Sequence, residues 1–174
     1  RDSRYPALKI AVNLSPRQFK MNDLLASIGA VLQSTGCKPE WLELEITEGL
    51  LLDSSIAVRE TLEQLCAMGF TIAIDDFGTG YSALGYLNRF PVKTLKIDRS
   101  FIRDIGHDHD NAELVKAIIS MAHTLRLELV AEGVEERAQE TFLKRYGCHN
   151  AQGYLYGRPM PEQEFERLLR SPAP

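Results

Sequence analysis

Short apolar runs alternate along the chain with longer amphipathic stretches, a pattern typical of strand and helix units that build a parallel sheet. Within the short runs apolar and polar residues alternate, as in Leu42-Glu43-Leu44-Glu45. Successive side chains of a strand point to opposite faces, so one face is apolar and the other is small or polar. An open doubly wound sheet buries both faces under apolar residues. The alternation therefore favours a barrel with a polar interior.

The pattern predicts six strands, near residues 8–13, 41–47, 71–76, 94–98, 128–132 and 150–154. It predicts helices near residues 17–35, 54–68, 82–89, 111–126, 135–146 and 162–170. Asn111 is placed to begin the fourth of these helices, and Gly36 and Gly147 follow the ends of two others. The segment His107-Asp108-His109-Asp110 falls between a strand and a helix, and we interpret it as a polar loop rather than a metal cluster.

The length of the chain is short for a complete barrel. A (β/α)8 barrel usually takes about 250 residues, whereas this chain has 174. We therefore expect an α/β fold, a TIM-like (β/α)8 barrel from which about two N-terminal strands are absent, and we expect that missing part to precede Arg1. Residues 1–170 are then one domain, and residues 171–174 are a C-terminal tail with the composition of a linker.

The composition, 44% hydrophobic and 25% charged, is that of one globular domain. A net charge of −4 argues against polymeric nucleic acid as a partner, because such binding needs clustered basic residues. No apolar run approaches the roughly 20 residues that span a bilayer, so we expect no membrane contact by this segment. The three cysteines are widely spaced and indicate neither disulfides nor a zinc site, which favours a cytoplasmic location, either of a whole cytoplasmic protein or of the cytoplasmic part of a membrane-anchored parent.

The predicted strands share one chemical feature, a polar or charged residue at or next to the carboxyl end of each. In order these residues are Asn13, Glu45, Asp75 with Asp76, Lys96 with Asp98, Glu132 and Gln152. In a parallel barrel these ends meet at one mouth, where barrel enzymes place their active sites. Carboxylates repel one another unless cations bridge them, and oxygen ligands favour Mg²⁺, Mn²⁺ or Ca²⁺ over zinc. The Asp75-Asp76 pair can serve two ions, as a two-metal phosphoryl hydrolase requires.

Six segments, in order, resemble the motifs of the EAL domain family of cyclic di-GMP phosphodiesterases. They are Asn13-Leu14-Ser15, Glu45-Ile46-Thr47-Glu48, Asp75-Asp76-Phe77-Gly78-Thr79-Gly80, Leu95-Lys96-Ile97-Asp98, Ala131-Glu132-Gly133-Val134-Glu135 and Gln152-Gly153-Tyr154. The resemblance covers nearly the whole chain. It implies a barrel that hydrolyses cyclic di-GMP to linear pGpG in bacterial signalling, with Mg²⁺ or Mn²⁺ as cofactor and Ca²⁺ as an inhibitor.

The resemblance also implies roles for individual residues. The metal ligands would be Asn13, Glu45, Asp75 and Asp76, with Asp75 shared between the two ions. The catalytic residues would be Glu132, Lys96, Glu135 and Gln152. The residues in contact with the substrate would be Asp76, Gln152 and Pro159.

Partners are implied in the same way. Glu48 would anchor a loop at residues 76–82, and a homodimer would form through this loop or through exposed sheet edges. Sensor or GGDEF-type domains would precede the barrel in the parent protein. The Glu-Ala-Leu strand, whose glutamate is a further metal ligand of the family, should lie before Arg1. The parent protein is therefore expected to be catalytic, and the 174-residue piece alone inactive.

Two other functions remain open. One is a non-catalytic receptor that binds the dinucleotide, although the presence of the expected metal ligands and of Lys96 argues against it. The other is a glycosidase barrel, which also uses paired carboxylates. A glycosidase has no need of an asparagine, a lysine and two adjacent aspartates around metals, and the chain has few aromatic residues to bind a sugar.

Two charged residues are expected inside the barrel, one layer below the mouth. Lys9 shares strand parity with Asn13, and Glu43 shares it with Glu45. Consecutive strands of such units are usually neighbours, and an unpaired buried charge is costly. We therefore predict an interior ion pair between Lys9 and Glu43.

Overall fold

The computed structural model describes residues 8–19, 21, 23–52, 56–78 and 87–170. Its centre is a curled sheet of six parallel strands, and the order of the strands in the sheet is their order in the sequence. The strands are β1 (Ile10–Asn13), β2 (Leu42–Thr47), β3 (Thr71–Phe77), β4 (Thr94–Ile97), β5 (Glu128–Ala131) and β6 (Asn150–Ala151). The sequential parallel order and the curl are those of a partial (β/α) barrel, so the predicted fold class is confirmed.

Helices lie between successive strands, where several of them pack on the sheet, and one more helix follows β6. Within the described residues they are α1 (Pro16–Phe19), α2 (Leu24–Thr35), α3 (Glu48–Leu52), α4 (Ile56–Ala67), α5 (Arg99–Arg103), α6 (His109–Thr124), α7 (Arg137–Tyr146) and α8 (Glu162–Arg170). A 3-10 turn at Pro39–Trp41 precedes β2. Among the described helices, none combines the length and the apolar character that crossing a membrane requires. The helix predicted near residues 82–89 falls mostly outside the described residues.

The strand register separates an apolar face from a polar one. Glu45 pairs with Asn13 on one side and with Ala73 on the other, while Leu44 pairs with Val12 and Ile72. The apolar set forms a core with the helices, and its largest fully buried members are Ile46, Leu51, Leu62, Leu65, Ile72, Ile74, Leu95, Ile97, Ile102, Val115, Ile119 and Leu143. Burying one such aliphatic side chain stabilises the fold by about 1.5–3 kcal/mol. The polar residues at alternate positions consequently face the inside of the curl.

Helix α6 begins at His109, two residues earlier than predicted. Its cap is Asp108, whose carboxylate accepts hydrogen bonds from the backbone N–H groups of Asp110 at 2.9 Å and Asn111 at 3.4 Å. Asn111, the predicted starting residue, is therefore inside the first turn, and the polar-loop interpretation is wrong for His109 and Asp110. Aspartate and asparagine cap helices about equally well, so the pattern did not distinguish the two positions.

Strand β6 is only two residues long, whereas residues 150–154 were predicted as a strand. The N–H of Gln152 still donates to the carbonyl of Ala131 at 2.8 Å, but its own carbonyl accepts from Val134 at 3.0 Å. A methyl group on Gly153 would lie 2.2 Å from the carbonyl oxygen of Val134. This close approach of two backbones requires glycine and turns the chain away from the sheet.

Strand β1 lies at the edge of the sheet. Within the described part of the chain it pairs only with β2, and all four of its residues are exposed. Ile10 keeps 64% and Val12 keeps 42% of its surface accessible. The register places both on the face that helices cover elsewhere in the sheet. β1 therefore presents an unpaired edge together with apolar side chains, a combination that favours pairing with another strand.

The predicted ion pair between Lys9 and Glu43 is wrong. The Nζ of Lys9 donates to the hydroxyl of Thr71 at 2.9 Å, and the carboxylate of Glu43 accepts from the hydroxyl of Thr94 at 2.7 Å. Each contact skips one strand, since Lys9, the residue before β1, reaches β3, and β2 reaches β4. In a tilted barrel the side chains of one interior layer come from alternate strands, so neighbouring strands place their inward residues in different layers.

Candidate active site

Lys96 lies at the centre of the candidate site. It is on β4, and only 5% of its surface is exposed. Three carboxylate oxygens surround its Nζ, from Glu132 at 2.5 Å, Glu45 at 2.6 Å and Asp75 at 3.0 Å. These acids come from β2, from β3 and from the residue that follows β5. The predicted convergence of the strand ends on one mouth is confirmed for these four residues.

The charges of this cluster determine its protonation. Burial disfavours the charged form of Lys96, but hydrogen bonds to the three carboxylates outweigh burial and hold the pKa of Lys96 above its usual range. Burial, reinforced by the charges of Asp75 and Glu45, raises the pKa of Glu132 despite its contact with Lys96. One ammonium group is thus shared by three acids, and the cluster keeps an excess of negative charge.

Asp75 and Asp76 lie at the end of β3, where the strand leads into a turn. Asp76 has a φ of 54°, a left-handed conformation that residues other than glycine seldom adopt. One ligand oxygen each from Asp75, Asp76 and Glu132 lie within 4.8 Å of one another. Burial, together with the charges of Asp75 and Asp98, raises the pKa of Asp76. A bound cation would relieve this repulsion, so the three acids form a candidate metal site.

The donor atoms of the other expected ligands are of the type that a hard cation prefers. Asn13 ends β1 and pairs with Glu45 in the strand register, which puts its backbone beside the acid cluster. Every candidate donor is therefore an amide or carboxylate oxygen, the donor type that Mg²⁺ and Mn²⁺ prefer. Acids at this density, with the pKa values of Asp76 and Glu132 raised, fit a divalent ion better than they fit a site without one.

Glu132 connects the cluster to a cleft. Its Oε1 also accepts a hydrogen bond from the Nε2 of Gln152 at 2.6 Å. The cleft has a volume of about 680 Å³, and its lining includes Glu132, Glu135, Gln152 and Pro159. The structure thus brings the predicted catalytic residues Glu135 and Gln152, and the predicted substrate contact Pro159, to one cavity beside Lys96.

Glu48, the predicted loop anchor, is buried and begins α3. Its Oε2 accepts a hydrogen bond from the backbone N–H of Gly78 at 3.1 Å. This contact holds the first part of the predicted loop. The rest of that loop, from residue 79 to residue 82, lies outside the described residues.

Three residues near the site were given no role from the sequence. Asp98 accepts hydrogen bonds from the backbone N–H and the hydroxyl of Ser100, and these contacts hold its pKa below the usual range although burial opposes them. Arg99 and Arg158 line the cleft, and the guanidinium of Arg158 lies 4.2 Å from the ring centre of Tyr154. Asp98 caps helix α5 and Arg99 begins it, but this helix has only five residues, too few for a periodic sequence pattern to reveal it.

Fold and site together define a parallel (β/α) barrel protein with an acidic, oxygen-rich centre at the carboxyl ends of its strands. The family model of the EAL domain matches residues 1–159. The chain belongs to the EAL domain family.

Relatives of known name agree with this assignment. The chain is 49% identical, over 99% of its length, to the bifunctional diguanylate cyclase/cyclic di-GMP phosphodiesterase MucR of Pseudomonas aeruginosa. It is 37% identical, over 94% of its length, to the cyclic di-GMP phosphodiesterase PdeR of Escherichia coli. The chain spans 25% of the length of each of these two proteins.

Solved structures show the same fold. The MucR phosphodiesterase in complex with cyclic di-GMP superposes with a TM-score of 0.86 at 50% identity, covering 90% of this chain and 64% of that one. The EAL enzyme Bd1971 in its cAMP-bound form superposes with a TM-score of 0.90 at 34% identity, covering 94% of this chain and 43% of that one. The six-stranded curl is therefore part of a barrel that these structures share.

Proposed function

We propose that the protein to which this chain belongs hydrolyses cyclic di-GMP to linear pGpG with the help of divalent cations. The observation that carries the proposal is the convergence of Glu45, Asp75 and Glu132 on the buried ammonium of Lys96. A receptor that only binds the dinucleotide has no need of such an assembly of partly and fully buried acids. The names of MucR and PdeR supply the substrate class.

The proposed cation ligands are Asn13, Glu45, Asp75 and Asp76. A bound divalent ion would supply positive charge to the phosphodiester and lower the pKa of a water molecule. We infer two ions, since adjacent aspartates can serve both, and we infer Mg²⁺ or Mn²⁺ as the active species. Ca²⁺ is expected to inhibit, because it accepts more ligands with a looser geometry.

Side chains of this chain would accept the proton of the attacking water and stabilise the charge that develops on the phosphate. Water adds to one phosphorus, the bond from that phosphorus to the 3′ oxygen breaks, the 3′ oxygen takes up a proton from solvent to become a hydroxyl, and the linear product keeps a 5′ phosphate. Glu132 has a raised pKa and lies beside Lys96, so we assign it the role of general base, which accepts the proton of the attacking water. Lys96 would stabilise the charge that develops on the phosphoryl oxygens. Gln152 orients Glu132 through its 2.6 Å hydrogen bond, and Glu135 and Pro159 line the cleft that would receive the dinucleotide.

The remaining partners belong to the same proposal. The contact between Glu48 and Gly78 supports a loop whose position depends on the metal site. A homodimer would form through the region of residues 76–82 or through the exposed edge of β1. We place the protein in the cytoplasm, with sensor or GGDEF-type domains elsewhere in the longer protein.

The decisive variant is Asp75→Asn in the complete protein. It keeps the size of the side chain but removes the charge proposed to lie between the two ions, so hydrolysis of cyclic di-GMP should fall at least about 100-fold. Product formation by chromatography at saturating Mg²⁺ measures the effect. Asp104→Asn is the matched control, because the carboxylate of Asp104 is partly exposed and pairs with Arg103 instead of with Lys96. Turnover near that of the unmodified protein would refute the metal-dependent mechanism.

A further inference from the structure

The turn at Asp76–Gly78 is fixed by contacts on two sides. Asp76 and Gly78 both have positive φ, 54° and 98°, so the chain turns sharply directly after the candidate metal ligands. On one side the N–H of Gly78 donates to the carboxylate of Glu48 at 3.1 Å. On the other side lies the ring of Phe101, from α5. The turn is thus held between a carboxylate and an aromatic ring.

The contact with Phe101 is close. A methyl group built on Gly78 would lie 2.7 Å from Cε2 and 3.0 Å from Cζ of this ring. Only a glycine lets the backbone approach the ring edge at this distance. Phe101 itself is partly buried and packs against the hydrophobic core, so the ring is held from behind.

The position of Phe101 is set by the strand that carries Lys96. Asp98 follows β4 and caps α5, and its carbonyl accepts from the N–H of Phe101 at 3.1 Å. The first turn of helix α5 therefore contacts the Asp76–Gly78 turn through the ring of Phe101 at Gly78.

We propose that Phe101 is a positioning residue, whose ring supports the Asp76–Gly78 turn and thereby holds the carboxylates of Asp75 and Asp76 where they ligate metal. The proposal rests on the proposed function for the identity of the ligand. It adds a residue that neither binds metal nor reaches substrate. Without the ring, a turn with two left-handed residues has fewer contacts to keep it in a sparsely populated conformation, and the carboxylates sample other positions.

The test compares Phe101→Ala with Phe142→Ala in the complete protein. Phe142 is also a partly buried phenylalanine, on α7, where its ring packs against Tyr146 at 4.8 Å between centres. Mn²⁺ affinity by electron paramagnetic resonance should fall about 10-fold in Phe101→Ala, at the lower end of the loss seen when groups that orient metal ligands are removed. Hydrogen exchange of the Gly78 amide should quicken about 10-fold. Phe142→Ala should change both quantities by less than about twofold.

A second comparison isolates the contact itself. Gly78→Ala should weaken Mn²⁺ binding by its clash with the ring and by its positive φ. In the double variant with Phe101→Ala the clash is removed and only the backbone strain remains, so the combined loss should be smaller than the product of the two single losses. Losses that simply multiply would show that ring and turn do not interact.

The outcomes separate this proposal from the proposed function. Unchanged Mn²⁺ affinity and exchange in Phe101→Ala, or equal losses in Phe142→Ala, would overturn the positioning role. A protein that binds Mn²⁺ but does not hydrolyse cyclic di-GMP would refute the function, while the affinity and exchange data would still decide the role of Phe101. A protein that binds no Mn²⁺ would overturn both.

Discussion

At the scale of the residue, Lys96 supplies the positive charge that offsets the acids of the site. Its single ammonium group contacts three acids within 3.0 Å, and burial removes most of the screening by water. A buried ammonium without such partners would release its proton instead. Here the pKa moves in the opposite direction, which shows that the acids outweigh the cost of burial.

Replacing Lys96 by methionine should therefore destabilise the metal-free protein by about 3–5 kcal/mol, the cost of leaving buried charges without their partner. Hydrolysis should be lost as well. The contribution of the lysine's own ionisation to this difference should stay constant between pH 6 and pH 9. A lysine whose pKa is raised by folding contributes its full stabilisation of the folded protein at pH values below its pKa in the unfolded chain, about 10.4. This stabilisation is lost only as the pH rises through the pKa of the lysine in the folded protein.

Denaturant unfolding at several pH values measures this effect. Lys93→Met is the control, since Lys93 forms an exposed pair with Glu128 at 3.2 Å and should contribute less than about 1 kcal/mol. Equal losses for the two lysines would show that burial does not strengthen the contacts of Lys96.

At the scale of the element, the strands of the sheet are joined inside the curl by polar contacts that skip one strand. Lys9 reaches Thr71, Glu43 reaches Thr94, and Lys96 reaches Glu45, each across an intervening strand. These contacts form successive layers below and at the mouth. The polar face of the sheet is thus held together by hydrogen bonds where the other face is held by apolar packing.

The layering predicts which pairs of residues are energetically coupled. A double-mutant cycle of Glu43→Leu with Thr94→Val should show coupling of about 1 kcal/mol, because Thr94 is buried and its hydroxyl is the donor to this carboxylate. The cycle of Lys9→Met with Glu43→Leu should show almost none. Chemical denaturation of the three single and two double variants supplies the values. Strong coupling of Lys9 with Glu43 would favour pairing between neighbouring strands after all.

At the scale of the whole molecule, the edge of the sheet at β1 is an exposed surface of the described residues. Its strand pairs on one side only within the described residues, and Ile10 and Val12 lie beside that edge. Apolar side chains next to unpaired backbone groups favour association. In the complete protein the same surface is available for further strands of the barrel or for a second copy.

The 174-residue chain alone should therefore self-associate in a concentration-dependent manner. Ile10→Lys should weaken this association at least about 10-fold, because a charge at the strand edge opposes pairing. Sedimentation velocity over a range of concentrations measures the change. Leu114→Lys is the control, as Leu114 is an exposed leucine on α6 away from the edge. Association that responds equally to both substitutions would place the contact elsewhere.

Much of this architecture follows from local pattern. The alternation in Leu42-Glu43-Leu44-Glu45 assigns faces to β2, and the other strands repeat it, so strand order, fold class and the list of inward residues were available from the sequence. The residues around Lys96 were available for the same reason, because a parallel sheet brings its carboxyl ends together. The roles assigned to them remain predictions that the variants above test.

What the tertiary structure alone decided are contacts between segments far apart in the chain. The sequence offers several equivalent positions where a helix or a strand could begin or end, and the neighbouring backbone decides among them. Examples are the cap at Asp108, the early end of β6 at Gly153 and the helix at Arg99–Arg103. The partners of Lys9 and Glu43 depend on the tilt of the strands, which strand parity does not contain. The close contact of Gly78 with Phe101 depends both on the neighbouring backbone and on the tilt of the strands. Sequence determined which residues face inward, and packing in three dimensions determined which of them meet.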